Sequence, residues 1–227
     1  MDPSIAQLVL LDVAMVPTAG DIDGWLDDAF RGRGPTLRAL RTGALYPAAA
    51  NAFVERGFVV VDRLALLERP LHAPPRRRPD APGPATLRRA RRRDLSTIAQ
   101  IDQAAFPAGW QNDAASLARI NAATPRTLRR LALVDIGGTR RAVGFAMTGS
   151  AGSTGYLQRL AVHPDARGRG IGAQLVADAL RWLVQRSATR VLVNTGVDNV
   201  PALRLYESAS FEMLDEQLVV LEHRRTP

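Results

Sequence analysis

Apolar residues recur along residues 85–148 at the spacings of strands and helices. A strand is predicted over 85–90, and Asp94 is placed to cap the helix that follows. One face of that helix is marked by apolar residues at helical spacing, Leu95, Ile98, Ile101 and Ala105. A second helix is predicted over 112–123. Two strands then follow, over 128–136 and 141–148, with a hairpin turn at Gly137-Gly138.

The remainder of the chain alternates strand and helix patterns. A strand pattern ends at Val162, a helix begins near Ile171, and a buried strand is predicted over 190–194. A short helix is predicted over 199–207, where Asn199 can cap it, and two strands complete the pattern near residue 224. This order predicts an α/β fold.

A basic, glycine-rich turn joins the strand before Val162 to the helix at Ile171. Its glycines, Gly168, Gly170 and Gly172, remove Cβ atoms where backbone N–H groups must approach an anion. The helix adds its positive dipole end, and Arg167 and Arg169 add charge. The turn therefore has the features of a phosphate-binding loop.

Two other interpretations of this turn remain open. Gly168, Gly170 and Ala173 also fit the dinucleotide pattern GxGxxA, which indicates an NAD-type oxidoreductase. That pattern needs a carboxylate roughly twenty residues onwards, where this chain has Leu-Val-Asn at 192–194. It also needs the strand to end directly at the glycines, whereas residues 163–166 intervene. The other interpretation is a structural turn without a ligand.

A second motif follows in the predicted helix at 199–207. The turn fits RxxGxG as Arg167, Gly170 and Gly172, and the helix supplies an Asn, a small residue and Leu-Tyr-Glu, followed by a Phe, as Asn199, Ala202, Leu205, Tyr206, Glu207 and Phe211. Together these motifs resemble the Gcn5-related N-acetyltransferase (GNAT) family, nearest in pattern to protein N-terminal acetyltransferases of the ribosomal-protein alanine type. Ser210 replaces the usual glycine at the helix exit.

The resemblance implies a GNAT fold, with a mixed central sheet and helices on both faces, and direct acetyl transfer from acetyl-CoA to a primary amine without a metal. It places the cofactor against residues of three segments, namely Leu160, Ala161 and Val162, then Arg167, Gly168, Arg169, Gly170, Ile171, Gly172 and Ala173, and finally Asn199, Ala202 and Tyr206. Backbone N–H groups near Leu160 and Val162 would face the oxyanion, because relatives separate this strand from the next one.

By the same resemblance, Tyr206 is the general acid that protonates the departing sulfur. A phenol of pKa about 10 can do so only when it is held in place. The competing interpretation is a half-buried tyrosine that packs on the sheet. Relatives carry a glutamate base where this chain has Gln158 or Asn194, and neither amide accepts a proton at neutral pH.

The missing carboxylate bears on the acceptor. A water chain, a carboxylate from elsewhere or an amine that arrives partly neutral could replace it. An α-amino group has a pKa of about 7.7 to 8.0 and a lysine about 10.4, which favours a protein N-terminus or a small molecule with a low-pKa amine. Phe106 and Trp110, in the segment that breaks the first helix, are candidate acceptor-site residues or a roof over the core. The alternative function is a catalytically silent CoA-binding regulatory or scaffold protein.

Three segments are predicted: a degenerate, partial GNAT-like unit over 1–69, a linker rich in Pro and Arg over 70–84, and the catalytic GNAT domain over 85–227. The first rests on a faint repeat at one constant offset, in which Thr42-Gly43 matches Thr195-Gly196 and Phe53 matches Tyr206. Chance similarity is the alternative, since tracts of Ala, Val and Leu align easily. If the repeat is real, Phe53 makes the first segment inert as a catalyst.

Composition narrows the classes of function. The chain of 227 residues has no cysteine, which excludes disulfides and thiolate sites, and its net charge of +8 suits an enzyme that binds the polyanion CoA. Its arginines do not alternate with aromatic platforms, so no nucleic acid partner is expected. We expect no metal, no membrane span, a cytoplasmic location, and a monomer or homodimer.

Overall fold

The computed structural model describes residues 4–8, 10, 15–71 and 83–225. These residues form nine strands, β1 (Ile5–Leu8), β2 (Ala39–Thr42), β3 (Val59–Pro70), β4 (Thr86–Arg89), β5 (Arg126–Ile136), β6 (Thr139–Ala151), β7 (Thr154–Val162), β8 (Arg190–Gly196) and β9 (Glu212–Arg224). They also form six α-helices, α1 (Ala19–Arg33), α2 (Pro47–Val54), α3 (Leu95–Ala105), α4 (Ala114–Ala122), α5 (Ile171–Val184) and α6 (Val200–Ser208).

The chain divides into two compact units. The larger unit contains residues 67–193 and 201–212, and the smaller unit contains 2–66, 194–200 and 213–227. This division groups two C-terminal segments with the N-terminal residues, whereas the sequence-based boundaries at 1–69, 70–84 and 85–227 do not. Residues 72–82 of the predicted linker lie outside the described residues. The domain boundaries therefore stay a prediction.

The larger unit is built on a mixed sheet in the order β4-β5-β6-β7-β8. Pairs from β4 to β7 are antiparallel, and β7 pairs with β8 in parallel. The β5–β6 hairpin turns at Gly137 and Gly138, which both have positive φ. The predicted hairpin and the predicted mixed sheet are confirmed.

Helices cover both faces of this sheet. On one face, α3 and α4 bury apolar side chains against the alternate residues Phe145 and Met147 of β6. On the other face, α5 lies so close to the sheet that a Cβ on Gly155 would be 2.6 Å from the methyl groups of Leu183. Because β6 is a central strand covered on both faces, most of its residues are buried, and the residues of β7 are buried or half-buried.

In the sheet of the smaller unit, β1 is parallel to β2, β2 is antiparallel to β9, and β3 neighbours β9 on its other side. Its core centres on Phe53, which is fully buried and meets Phe58 edge to face with 5.0 Å between the ring centroids. Arg41 donates to the buried carboxylate of Glu222 at 2.7 Å, which joins β2 to β9. A capping box between Thr18 and Asp21 begins α1.

Two local predictions are wrong. The two strands expected to complete the pattern near residue 224 are one strand, β9. Asp94 precedes α3 as predicted, but its carboxylate does not cap that helix. Instead it accepts two hydrogen bonds of 2.8 Å from the Arg88 guanidinium and one of 2.7 Å from the Arg91 N–H.

No helix of the described residues is long and apolar enough to cross a membrane.

We expect Asp94→Asn to lower the free energy of unfolding by about 1–3 kcal/mol at pH 7, because the amide loses the charge-assisted bonds to Arg88. The Arg88 side chain and the Arg91 N–H hold the pKa of Asp94 well below its ordinary value. This contribution is therefore complete above about pH 4 and is lost as pH falls through the folded pKa. Urea unfolding from about pH 7 to pH 2.5 measures it.

The control is Asp215→Asn, since Asp215 is exposed. The gap between wild type and Asp94→Asn should narrow on acidification. A gap of constant size over this range would contradict the role assigned to the ion pair.

Candidate active site

The turn between β7 and α5 has the backbone of an anion-binding loop. Gly168 and Gly170 have φ of 73° and 76°, a region that strains residues with a Cβ. Gly170 ends the loop directly before α5, so no side chain of the N-cap residue occupies the helix terminus. The loop residues 167–170 are exposed.

The first turn of α5 carries no acidic residue, and its first intrahelical bond runs from the Gln174 N–H to the Gly170 carbonyl. The N–H groups of Ile171, Gly172 and Ala173 precede that bond, as they do at every helix start. Ile171 is buried and Ala173 is exposed. The terminus therefore presents backbone donors and a positive dipole end together.

Gly172 is favoured by a close approach rather than by its φ. A Cβ on Gly172 would lie 3.2 Å from Cδ2 of Leu205, so the first turn of α5 packs directly on α6. Leu205 precedes Tyr206 in the chain. This contact brings the anion-binding loop and the Tyr206 turn together.

The two loop arginines differ in placement. The Arg167 guanidinium donates to the Val162 carbonyl at 3.3 Å and to the Ala105 carbonyl at 3.0 Å. It therefore ties the end of β7 to the last residue of α3. Arg169 is exposed. Both arginines keep positive charge beside the glycines, although Arg167 is also a structural link.

Strand β7 is fully paired on one side and only partly paired on the other. It pairs with β6 along its length, whereas its parallel pairing with β8 covers only Thr154–Tyr156. The His163 N–H donates to the Val143 carbonyl on the β6 side at 2.8 Å. Because N–H directions alternate along a strand, the Leu160 and Val162 N–H groups point away from β6. The resemblance to the GNAT family implies such a separation of β7 from β8 beyond their short paired stretch.

Tyr206 lies on α6 and is 5% exposed, with its ring centroid 5.6 Å from that of Phe211. Burial raises the pKa of its phenol to about 12, and the nearby positive charge of Arg159 partly opposes that shift. The hydroxyl therefore keeps its proton throughout the neutral range. Ala202, one helical turn earlier, is half-buried.

A β-bulge in β7 aims two neighbouring polar side chains at the same face. Opposite β6, Leu157 pairs with Thr148 and Arg159 pairs with Met147, so Gln158 is the extra residue. The Gln158 side chain donates to the Ile120 carbonyl at the end of α4 at 3.0 Å, and its Oε1 atom is buried with no hydrogen bond among the described residues. Gln158 is thus anchored beneath α4.

Asn194 and Asn199 belong to the smaller unit. Asn194 is exposed on β8. The side-chain amide of Asn199 donates to Thr195 Oγ1 at 3.0 Å, immediately before α6.

Phe106 and Trp110 lie beside an ion pair that the sequence analysis did not single out. Asp102 is fully buried, and Arg159 donates to its two carboxylate oxygens at 2.7 and 3.0 Å. The Arg159 guanidinium also donates to the Trp110 carbonyl at 2.6 Å and lies 3.5 Å from the centroid of the Phe106 ring. Both aromatic residues are half-buried. The segment after α3 therefore packs around this guanidinium.

A signal for this pair was present in the sequence. Asp102 lies on the apolar stripe of α3 next to Ile101, and Arg159 interrupts the apolar run Leu-Gln-Arg-Leu-Ala-Val. A charged residue at a core position requires a partner. Two such residues in different elements could have been paired.

The described residues suit a nucleotide pyrophosphate by three observations. The loop glycines adopt positive φ, the α5 terminus is free of an acidic side chain, and two arginines flank it. Within the ranges that the structure describes, no group of three His, Cys, Asp or Glu side chains could hold a metal ion.

Comparison with known proteins adds to this geometry. The family described as "Acetyltransferase (GNAT) family" matches residues 95–211. The mycothiol acetyltransferase of Thermomonospora curvata is 32% identical over 186 residues, which are 80% of this chain and 61% of that protein. The chain spans between 52% and 61% of the length of three curated relatives that it matches.

Solved structures share the fold. A tandem GNAT protein from the clavulanic acid biosynthesis pathway has a TM-score of 0.64 at 14% identity, covering 89% of this chain and 69% of that one. The ribosomal-protein-S18-alanine N-acetyltransferase of Escherichia coli has a TM-score of 0.50 at 20% identity, covering 63% of this chain and 94% of its own. At these identities the likeness concerns the fold. Since the family match spans more than half of the 227 residues, the chain belongs to the GNAT acetyltransferase family.

Proposed function

We propose that the larger unit transfers an acetyl group from acetyl-CoA directly to a primary amine, with Tyr206 as the general acid. The contact between Gly172 and Leu205 carries this proposal, because it packs the anion-binding end of α5 against the helical turn that bears Tyr206. One ligand with a pyrophosphate and a reactive thioester can then engage both.

Each part of the site has a separate task in this proposal. The loop from Arg167 to Ala173 would hold the pyrophosphate, and Ala202 would lie beside the cofactor. Acetyl-CoA supplies an activated acetyl thioester. The N–H groups of Leu160 and Val162 would donate to the thioester carbonyl oxygen, where negative charge builds up.

Tyr206 would donate its phenolic proton to the sulfur that leaves. The phenol is buried and its pKa is raised, so it stays protonated until the CoA sulfur departs from the acetyl group. Arg159 carries a positive charge near the phenol and limits that rise in pKa. The effect of burial is the larger of the two, so the phenol stays neutral.

The acceptor amine must lose a proton without a carboxylate at position 158. The Nε2 atom of Gln158 is bound to the end of α4, and an amide is no base at neutral pH. An amine of low pKa, such as a protein α-amino group, arrives partly deprotonated, whereas a lysine amine is almost wholly protonated. The name of the Escherichia coli neighbour, a ribosomal-protein alanine acetyltransferase, supports a protein N-terminus as one acceptor.

A second candidate function is a CoA-binding scaffold or regulatory protein without turnover. Gln158 favours it, because a glutamine replaces the proton acceptor found in many relatives. The scaffold keeps the anion-binding loop and makes no use of the Tyr206 proton. Rate measurements on Tyr206 variants separate the two candidates.

For residues 1–69, we propose a degenerate partial GNAT-like unit. Phe53 stands where the repeat would place a catalytic tyrosine, and it is fully buried between Phe58 and Trp25. The likeness to a tandem GNAT protein over 89% of this chain supports the proposal. With no hydroxyl at position 53, this unit would serve structure rather than proton transfer.

Tyr206→Phe should lower kcat by about 10²- to 10⁴-fold, the usual contribution of a general acid, while the Kd for acetyl-CoA changes little. CoA release with an amine acceptor gives kcat, and calorimetry gives Kd. Tyr156→Phe is the matched control, since Tyr156 is the other tyrosine of the larger unit. Equal kcat for Tyr206→Phe and wild type would remove Tyr206 from the mechanism.

The pH profile tests the raised pKa of Tyr206. A phenol of ordinary pKa would be half deprotonated near pH 10, and kcat would then fall. With a pKa of about 12, the acid stays protonated. We therefore expect kcat to rise with amine deprotonation and then to stay level up to about pH 10.5. A descending limb centred near pH 10 would contradict this assignment.

Ala173→Glu tests the anion site by charge alone, because Ala173 is exposed in the first turn of α5 and its backbone is helical. The carboxylate should weaken acetyl-CoA binding by about tenfold or more while slightly raising Tm, since an acidic residue stabilises a helix N-terminus. Ala173→Gln, nearly the same shape without charge, is the control. Equal Kd values for the two variants would place the pyrophosphate elsewhere.

A further inference from the structure

Arg159 holds more hydrogen-bonding capacity than its structural contacts use. A guanidinium has five N–H groups. The Nε atom and the Nη2 atom bind the Asp102 carboxylate, and Nη2 also binds the Trp110 carbonyl. Nη1 makes no hydrogen bond to any other residue that the structure describes. The Arg159 side chain is 15% exposed, so it is not sealed inside the core.

The guanidinium is held in one orientation. Asp102 has no exposed surface, and its Oδ1 atom also accepts the Asn112 N–H at 2.7 Å. The Phe106 ring covers one face of the guanidinium at 3.5 Å. With its Nε and Nη2 edge against Asp102 and one face against Phe106, the direction of Nη1 is fixed.

The position of Arg159 relates it to the reacting groups. It precedes Leu160 on β7, in the part of the strand beyond its pairing with β8. Its charge is felt by the phenol of Tyr206 in the same unit. A donor here can meet the part of an acceptor that lies next to the attacking amine.

The charge of the Asp102–Arg159 pair determines which chemical group of an acceptor Arg159 can bind next to the amine. Asp102 already balances the charge of Arg159, so a second carboxylate would bring two anions to one half-buried guanidinium. A neutral carbonyl oxygen accepts the free N–H groups without that repulsion. An acceptor with no carbonyl would leave them without a partner in a half-buried position.

We propose that Nη1 of Arg159 binds the carbonyl oxygen adjacent to the acceptor amine, so that the enzyme selects α-amino amides over simple alkylamines and free α-amino acids. This inference rests on the proposed acetyl transfer. It assigns Arg159 to acceptor specificity, with Asp102 and Phe106 as the residues that position it.

The test compares three acceptors: L-alaninamide, L-alanine and 2,2-difluoroethylamine, a carbonyl-free amine whose pKa is also low. Values of kcat/KM are expressed per deprotonated amine, so that differences in amine pKa do not enter. We expect alaninamide to exceed both others by at least about tenfold, as in sites built to bond a substrate group. Values within threefold of one another, or a preference for alanine, would overturn the inference.

Arg159→Lys keeps a positive charge opposite Asp102 and removes Nη1. It should reduce the alaninamide-to-difluoroethylamine ratio of kcat/KM at least fivefold, chiefly through a higher KM for alaninamide. The matched control is Arg130→Lys, which alters a similar pair, Arg130 with Asp178 at 2.7 Å, away from the bulge, and should leave the ratio unchanged. An equal loss with all acceptors in Arg159→Lys would make Arg159 a structural residue only.

The preference of the wild-type chain needs no variant, so poor folding of Arg159→Lys leaves the inference testable. If acetyl-CoA binds but no amine causes CoA release, the proposed acetyl transfer fails and this inference fails with it. If all three amines are acetylated equally well, acetyl transfer stands and only the inference about Arg159 fails.

Discussion

The buried ion pair between Asp102 and Arg159 is the interaction around which the larger unit is organised. It joins α3 to β7, and through the Trp110 carbonyl and the Asn112 N–H it also holds the segment that follows α3. Two buried charges cost several kcal/mol in desolvation, and removing one partner costs about 3–5 kcal/mol because the other is left uncompensated. A core of apolar residues could be as stable. In addition, the pair fixes the orientation of the Arg159 guanidinium beside the candidate active site.

Strand β7 borders two regions of this unit: the glycine-rich loop at its end, and the helices α3 and α4 that pack across it. Along the strand, its unpaired edge leads to Val162 and the glycine-rich loop, which is the proposed pyrophosphate site. Across the strand, the bulge at Gln158 turns polar side chains towards α3 and α4. A regular strand would have sent Gln158 and Arg159 to opposite faces. The bulge is thus the reason that both lie on one side.

The residues of the glycine-rich loop suit their positions for both local and tertiary reasons. Gly168 and Gly170 have a local role, since their positive φ values favour glycine in any context. Gly172 has a tertiary role, since a Cβ there would lie 3.2 Å from Cδ2 of Leu205. Arg167 combines both, as a loop charge that also binds the carbonyls of Val162 and Ala105. The alternate glycines of this one motif therefore serve different physical purposes.

The sequence by itself determined the elements of the larger unit, the glycine-rich turn before α5 and the family, because periodicity, glycine spacing and helix motifs are local properties of the chain. It could not determine that β9 is a single strand, that Asp94 binds Arg88 instead of capping α3, or that Arg159 meets Asp102. Asp102 and Arg159 are 57 residues apart, and their encounter depends on how α3 packs on the sheet. The pKa of Tyr206 was equally out of reach, since burial is a property of the packed fold. Local spacing encodes backbone form, whereas pairing of distant polar groups and desolvation exist only after the chain has packed.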